Sequence, residues 1–214
     1  MSVLTFKNLH VVGKKVLKGV ELTDFSLELA AGEVIALVGE KAPLVMAALT
    51  GKAKLLSGEI YVGDYLLGKA KLADRGVEYV PCDEDHYLGL APKKPVYLAF
   101  ITPLKKRKMP EQTIKDLMDE ATRRLDVSHL VERRPRALSS AQKVRVALGA
   151  AATRSPRAVV MENIFSITHP EYHEGISEAL KASLEVLGLT VLFYTTADKA
   201  ELAKAAGAEI VEIK

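Results

Sequence analysis

The run Val34-Ile35-Ala36-Leu37-Val38, closed by Gly39, constrains this chain more than any other stretch. It is apolar without alternation, short and rich in β-branched residues. Such a run suits a strand buried on both faces, which is the situation inside a parallel sheet covered by helices. The pattern returns later in the chain. Ala158 to Met161 and Thr190 to Tyr194 are further buried-strand runs, and Glu209 to Ile213 is a final strand. Glu59 to Val62 and Val77 to Val80 read as strands bounded by Gly or Pro. Helical stretches alternate with them: Pro43 to Thr50, with proline in the first turn and Gly51 as its stop, then Ser140 to Arg154, Glu171 to Leu187 and Lys199 to Ala206. Strands alternating with helices predict an α/β fold with a mainly parallel sheet and helices on both faces.

Two segments depart from that alternation. Val3 to Leu9 alternates as a strand, and Val16 to Leu29 holds two further strand-like stretches ending in the turn Ala30-Ala31-Gly32-Glu33. Together they predict an antiparallel β part over 1–33. From Tyr87 to Pro135 there is no strand run. An amphipathic helix over Pro110 to Leu125 places Ile114, Leu117, Met118, Ala121 and Leu125 on one face. The expected organisation is one domain over 1–214. Its α/β core covers 34–85 and 138–214, and a helical subdomain covers 86–137.

Composition removes several function classes. With 49% hydrophobic and 27% charged residues over 214 positions, the chain has material for a sizeable core. No apolar run approaches the roughly 20 residues of a membrane span, and MSVLTFKNLH has no signal-peptide core. The single Cys82 excludes an internal disulfide framework and a cysteine-based zinc site. Net charge is +3, too balanced to argue for nucleic acid, which is not an expected partner. Scarce Asn and Gln with abundant Lys and Glu predict a thermophilic source. The expected location is cytoplasmic or peripheral on the cytosolic face of a membrane.

Several segments in order resemble one family, the nucleotide-binding domain of ATP-binding-cassette (ABC) ATPases, and nearly the whole chain takes part. Val16-Leu17-Lys18-Gly19-Val20 together with Gly32 to Gly39 resembles the approach to that family's phosphate loop. Leu49-Thr50-Gly51 and Ser57-Gly58-Glu59-Ile60 resemble the family's segments on the far side of that loop. Tyr79-Val80-Pro81 is similar to the strand before the glutamine loop, and Arg133 to Ser139 to the run into the signature motif. Gly188-Leu189-Thr190-Val191 leads the strand that ends at the family's switch histidine. The resemblance implies a fold like that of P-loop NTPases, with an N-terminal antiparallel β subdomain and a helical insertion.

At the chemical stations the sequence departs from the family. A phosphate loop reads G-x-x-x-x-G-K-[ST], with backbone N–H groups around the phosphates, lysine on the β and γ phosphates and the hydroxyl on Mg²⁺. Here Gly39 is succeeded by Glu40-Lys41-Ala42-Pro43. The lysine position falls on Ala42, the hydroxyl position on Pro43, and the loop is about three residues short. Glu40 adds a carboxylate at a helix N-terminus, where it either occupies the electrostatic place of a phosphate or faces solvent. Lys41 is the one candidate to replace the lost lysine. The family's Asp-Glu after its second buried strand, metal support and general base, is replaced by Glu162-Asn163. An amide cannot take the proton. The glutamine position falls on Cys82 and the switch-histidine position on Thr196. The adenine-stacking aromatic near Val12-Gly13 is aliphatic.

The signature L-S-G-G-Q appears as Leu138-Ser139-Ser140-Ala141-Gln142. In the family it acts in trans on a partner's nucleotide. Ser139 either caps its helix only or also serves as a donor to that partner site. After Asn163 the loop keeps Ser166 but has His169 where the family has Asp. His169 and His173 are four apart without a third ligand nearby, so a surface or helix-end role is expected. Lys105-Lys106-Arg107-Lys108 reads as a solvated basic turn, and Cys82 as buried and inert.

The resemblance with these losses predicts a non-catalytic ABC-type subunit, a pseudo-ATPase. It would dimerise with itself or with an active ABC ATPase domain and act as scaffold or regulator in a transport complex. Docking on a transmembrane permease would place Cys82 and the Tyr87 to Phe100 region at the contact. No cofactor of its own is expected, and ATP with Mg²⁺ would enter only through a partner's site. Two alternatives stand beside it: a weak or partner-assisted ATPase using Lys41 and Glu162, and a structural subunit of a non-transport assembly.

Overall fold

The computed structural model describes residues 2–68, 70–82, 88–166 and 169–213. Five parallel strands form the central sheet: β3 (Val34–Val38), β6 (Val77–Val80), β7 (Ala158–Met161), β8 (Val191–Thr195) and β9 (Glu209–Glu212), in the order β6-β7-β8-β3-β9. The buried runs read from the sequence are these strands. Because strand side chains alternate, each inner strand feeds two separate cores. Ile35, Leu37, Val160 and Leu192 point to α1 (Ala42–Leu49) and the antiparallel sheet. Ala36, Val159, Met161, Val191 and Phe193 point to the opposite face. That face is covered by α4 (Ser140–Ala152), α5 (His173–Leu187) and α6 (Ala200–Ala205). The fold is therefore α/β with helices on both sides of a parallel sheet.

The antiparallel sheet has the order β2-β1-β4-β5, from β1 (Ser2–Val12), β2 (Glu21–Ala30), β4 (Lys54–Val62) and β5 (Tyr65–Leu66). One expectation is corrected here. Val16 to Leu29 holds a single strand, β2, preceded by a 3-10 turn at Lys15–Leu17. The chain closes on itself at Gly13, whose N–H donates to the Val20 carbonyl at 2.9 Å. A Cβ at Gly13 would lie 1.9 Å from the Leu17 carbonyl oxygen, so the loop returns over a position that only glycine leaves open. β4 also starts five residues before Glu59, because pairing of Val12 with Lys54 extends a segment whose polar ends hide it.

Between β6 and α4, the described residues hold helices and turns: α2 (Tyr97–Lys106), α3 (Glu111–Arg124) and two 3-10 turns. Tyr87, taken as the start of this region, lies outside the described residues. A third core joins Phe100, Ala121, Leu125 and Val146. On α3 the expected face is buried at Ile114 and Ala121 and half-buried at Leu117 and Met118, with Leu125 buried at the cap. α2 was not separated from its surroundings by sequence, since Pro103 sits inside it and its end is the basic run. α5 begins at His173 rather than Glu171, because Pro170 opens a 3-10 turn first. No helix among the described residues is long and apolar enough to cross a membrane.

Candidate functional site

In open parallel sheets, ligands collect beyond the carboxyl ends of the strands. The residues singled out from sequence lie there: Gly39 to Pro43 after β3, Cys82 after β6, Glu162 and Asn163 after β7, and Thr196 after β8. The adjacency of these strands brings distant sequence positions to one edge.

At α1 the geometry is tight. Gly39 has φ of 132°, a conformation side chains rarely adopt. A Cβ there would lie 2.2 Å from the Ile213 carbonyl oxygen. The Ile213 N–H in turn donates to the Val38 carbonyl at 2.7 Å. Ala42, the first residue of α1, has no exposed surface and packs into the core with Leu44 and Val45. Pro43 carries no N–H. Glu40 is exposed and Lys41 half-buried, and no side chain caps this helix.

The Glu162 carboxylate is engaged from three directions. The Tyr79 hydroxyl donates to Oε1, and the Cys82 backbone N–H donates to Oε2 at 3.1 Å. The Lys52 ammonium lies 3.6 Å from Oε1, donates to the Tyr79 hydroxyl at 3.1 Å and sits over its ring at 5.0 Å. Sequence reasoning placed Glu162 and Cys82 here but missed Lys52 and Tyr79. The only signal for Tyr79 was its place in the strand before Pro81, and Lys52 had none. Cys82 is buried, as expected.

Asn163 is buried and acts locally. Its Oδ1 accepts from the Phe165 N–H at 3.1 Å and from the Thr195 hydroxyl at 3.3 Å, while its carbonyl accepts from the Ser166 hydroxyl at 2.8 Å. Thr196 is exposed and precedes a 3-10 turn. Its hydroxyl, with help from Lys199, holds the Asp198 carboxyl below the usual range. Ile167 and Thr168 lie outside the described residues. His169 and His173 do not share a helix face. His173 opens α5 buried edge-on against Phe165, and His169 sits before the turn beside Tyr172. Among the described residues no group of histidine, cysteine or carboxylates is placed to hold a metal.

Tyr194 is half-buried beside these groups. Burial, then the Glu162 charge, push its phenol up to about 12. An unfolded phenol loses its proton near pH 10. Between pH 10 and 12 the folded chain therefore holds a proton the unfolded chain has lost. This contribution is full below pH 10 and is lost as pH rises through 12. Thermal melts across that window should show Tyr194→Phe with a shallower fall in Tm than the parent; parallel curves would refute the assignment.

At the signature-like segment, Leu138 is buried, Ser139 exposed, and Ser140, Ala141 and Gln142 half-buried. Ser139 caps α4 in a reciprocal box. Its hydroxyl accepts from the Gln142 N–H at 3.2 Å, and the Gln142 side chain accepts from the Ser139 N–H at 3.0 Å. Both retained residues thus have a structural role. Ser139→Ala should cost about 1 kcal/mol, read as a fall in Tm of roughly 2–4 °C.

Comparison with known proteins bears on the family and the fold. Residues 22–165 match the family model described as ABC transporter. The chain is 31% identical over 186 residues to the trehalose/maltose import ATP-binding protein of Thermococcus litoralis, covering 83% of this chain and 49% of that protein. It is 30% identical to the sn-glycerol-3-phosphate import ATP-binding protein of Brucella abortus, covering 85% and 50%. The chain spans about half the length of these relatives. Among solved structures, cbiO1 from Clostridium perfringens, part of the ABC transporter complex cbiONQ, superposes with a TM-score of 0.77 at 22% identity. That match covers 100% of this chain and 85% of the other. A nucleotide-free ATP-binding cassette from an ABC transporter superposes at 0.72 and 16% identity, covering 100% and 88%. With a family model matched over most of its length and the cassette fold throughout, this chain belongs to the ABC transporter family.

Proposed function

We propose that this chain is a cassette subunit of an ABC transport complex that leaves nucleotide chemistry to a partner ATPase domain. The observation that carries this is the N-terminus of α1. The position matched to the phosphate-loop lysine is Ala42, enclosed in the core, and the next residue, Pro43, offers neither hydroxyl nor N–H. Gly39 is closed from one side by the Ile213 carbonyl. Glu40 sets a negative charge where phosphates would need positive ones. These residues do not fit a nucleoside triphosphate with Mg²⁺. The carboxylate that would support the metal, Glu162, is already held by Tyr79, Cys82 and Lys52. Asn163 cannot act as a base, since its amide is committed to two donors. The Leu138 to Gln142 segment keeps an ordered helix N-terminus with an exposed Ser139, which supports a role at a partner's site. Assembly with a second cassette and a transmembrane permease on the cytosolic face belongs to the same proposal.

A second reading is favoured by the relatives, which are named as import ATP-binding proteins. In it, the chain binds ATP weakly or with a partner's help, through Lys41. Titration calorimetry of the isolated chain with ATP and Mg²⁺ separates the two. No saturable heat is expected up to about 1 mM ATP. A micromolar Kd would sink the proposal and establish the second reading.

A further inference from the structure

At the β6 edge, far from α1, a single carboxylate serves two guanidinium groups. Glu78 pairs with Arg107 Nη2 at 3.2 Å and with Arg154 Nε at 2.8 Å. The Arg154 contact is a close ion pair made by a mostly buried guanidinium. Arg107 also donates to the Arg154 carbonyl at 3.3 Å, which holds the two cations side by side. Lys106 beside them makes no hydrogen bond or ion pair among the described residues. Burial lowers the Arg154 pKa first; Glu78 works against that shift, and the neighbouring Arg107 charge adds to it. Among the described residues that line the space in front of this cluster, Arg107, Arg154 and Lys106 are the cations and Glu78 is the one carboxylate, a net of two positive charges there.

The cluster opens on a cavity of about 510 Å³. Tyr79 also lines it, and its other walls are mainly apolar, including Val80, Pro81, Leu88, Leu90, Ala99 and Ala147. Small-molecule sites are commonly ~300–1,000 Å³, apolar, with a few convergent polar groups. In the sheet order, β6 lies three strands from β3, roughly 14 Å at the usual strand spacing. This cavity is therefore separate from the α1 terminus.

We infer that the cavity binds a small organic phosphate, its dianion on Arg107, Arg154 and Lys106 and its apolar body against Val80, Pro81 and Leu88. Two surplus charges match a phosphate dianion and exceed what one carboxylate would neutralise. Guanidinium forks suit phosphate oxygens in geometry as well as charge. The inference is independent of whether nucleotide binds at α1.

The test is calorimetric titration of the chain with phenyl phosphate at low salt. Saturable binding is expected with a Kd below about 1 mM. Arg107→Gln, whose side chain is 42% exposed and whose loss should spare the fold, is expected to weaken binding about tenfold or more. Lys106→Gln should weaken it less. Inorganic phosphate alone should bind more weakly than phenyl phosphate, since it leaves the apolar walls uncovered. The inference is overturned by an absence of saturable heat. It is equally overturned by Arg107→Gln binding like the parent, or by inorganic phosphate matching phenyl phosphate.

Discussion

Gly39→Ala is expected to destabilise the chain by about 3 kcal/mol or more, a fall in Tm of roughly 6–12 °C. Two costs act together. The backbone at φ 132° is one that an L side chain adopts only under strain. The added methyl would also lie 2.2 Å from the Ile213 carbonyl oxygen, a backbone atom that cannot swing aside like a side chain. Relief requires the end of β9 to move, and that breaks the Ile213 to Val38 hydrogen bond. Hydrogen exchange at the Ile213 amide should therefore accelerate along with the loss of stability. A variant that melts within 2 °C of the parent, with Ile213 still protected, would refute the close approach.

Ala42→Lys, which restores the phosphate-loop lysine by sequence register, is expected to damage the fold without restoring nucleotide binding. Ala42 has no exposed surface and lies among Leu44, Val45 and the apolar side chains of the antiparallel sheet. A lysine there must bury its ammonium, lose its proton or push α1 outward. The expected loss is about 3 kcal/mol or more, measured by thermal or urea unfolding. Calorimetry on whatever folded fraction remains should show no ATP binding. A stable variant with micromolar ATP affinity would mean that the loop is one substitution away from function, against the proposed role.

The strands of the parallel sheet were legible because burial on both faces leaves a plain signature. Ala158 to Met161 is flanked by Arg157 and Glu162, so its limits come from polarity alone, and the structure matches them. The region around Lys15–Leu17 was not legible, because its apolar residues close a loop over Gly13 rather than extend. At the site, spacing brought Gly39, Cys82, Glu162 and Thr196 to neighbouring strand ends. The partners of Glu162 could not be read in the same way. Tyr79 and Lys52 meet it through the adjacency of β6 and β7 and the path of the chain leaving α1. No local pattern encodes that meeting. Ser139 and Gln142 were read as remnants of a motif, and their reciprocal cap shows why a helix start alone favours both residue types.

The place of β3 in the sheet bears on how the chain is assembled in time. Its neighbours are β8 and β9, so Val34 pairs with Val191 and Ile35 with Glu209. A ribosome that has made β3 and α1 must therefore add most of the remaining sequence before this strand gains either hydrogen-bonded neighbour. Until then its apolar faces and open edges are exposed to other chains. Pairings this distant in sequence slow folding, so the segment that fixes the candidate site is among the last to be sealed.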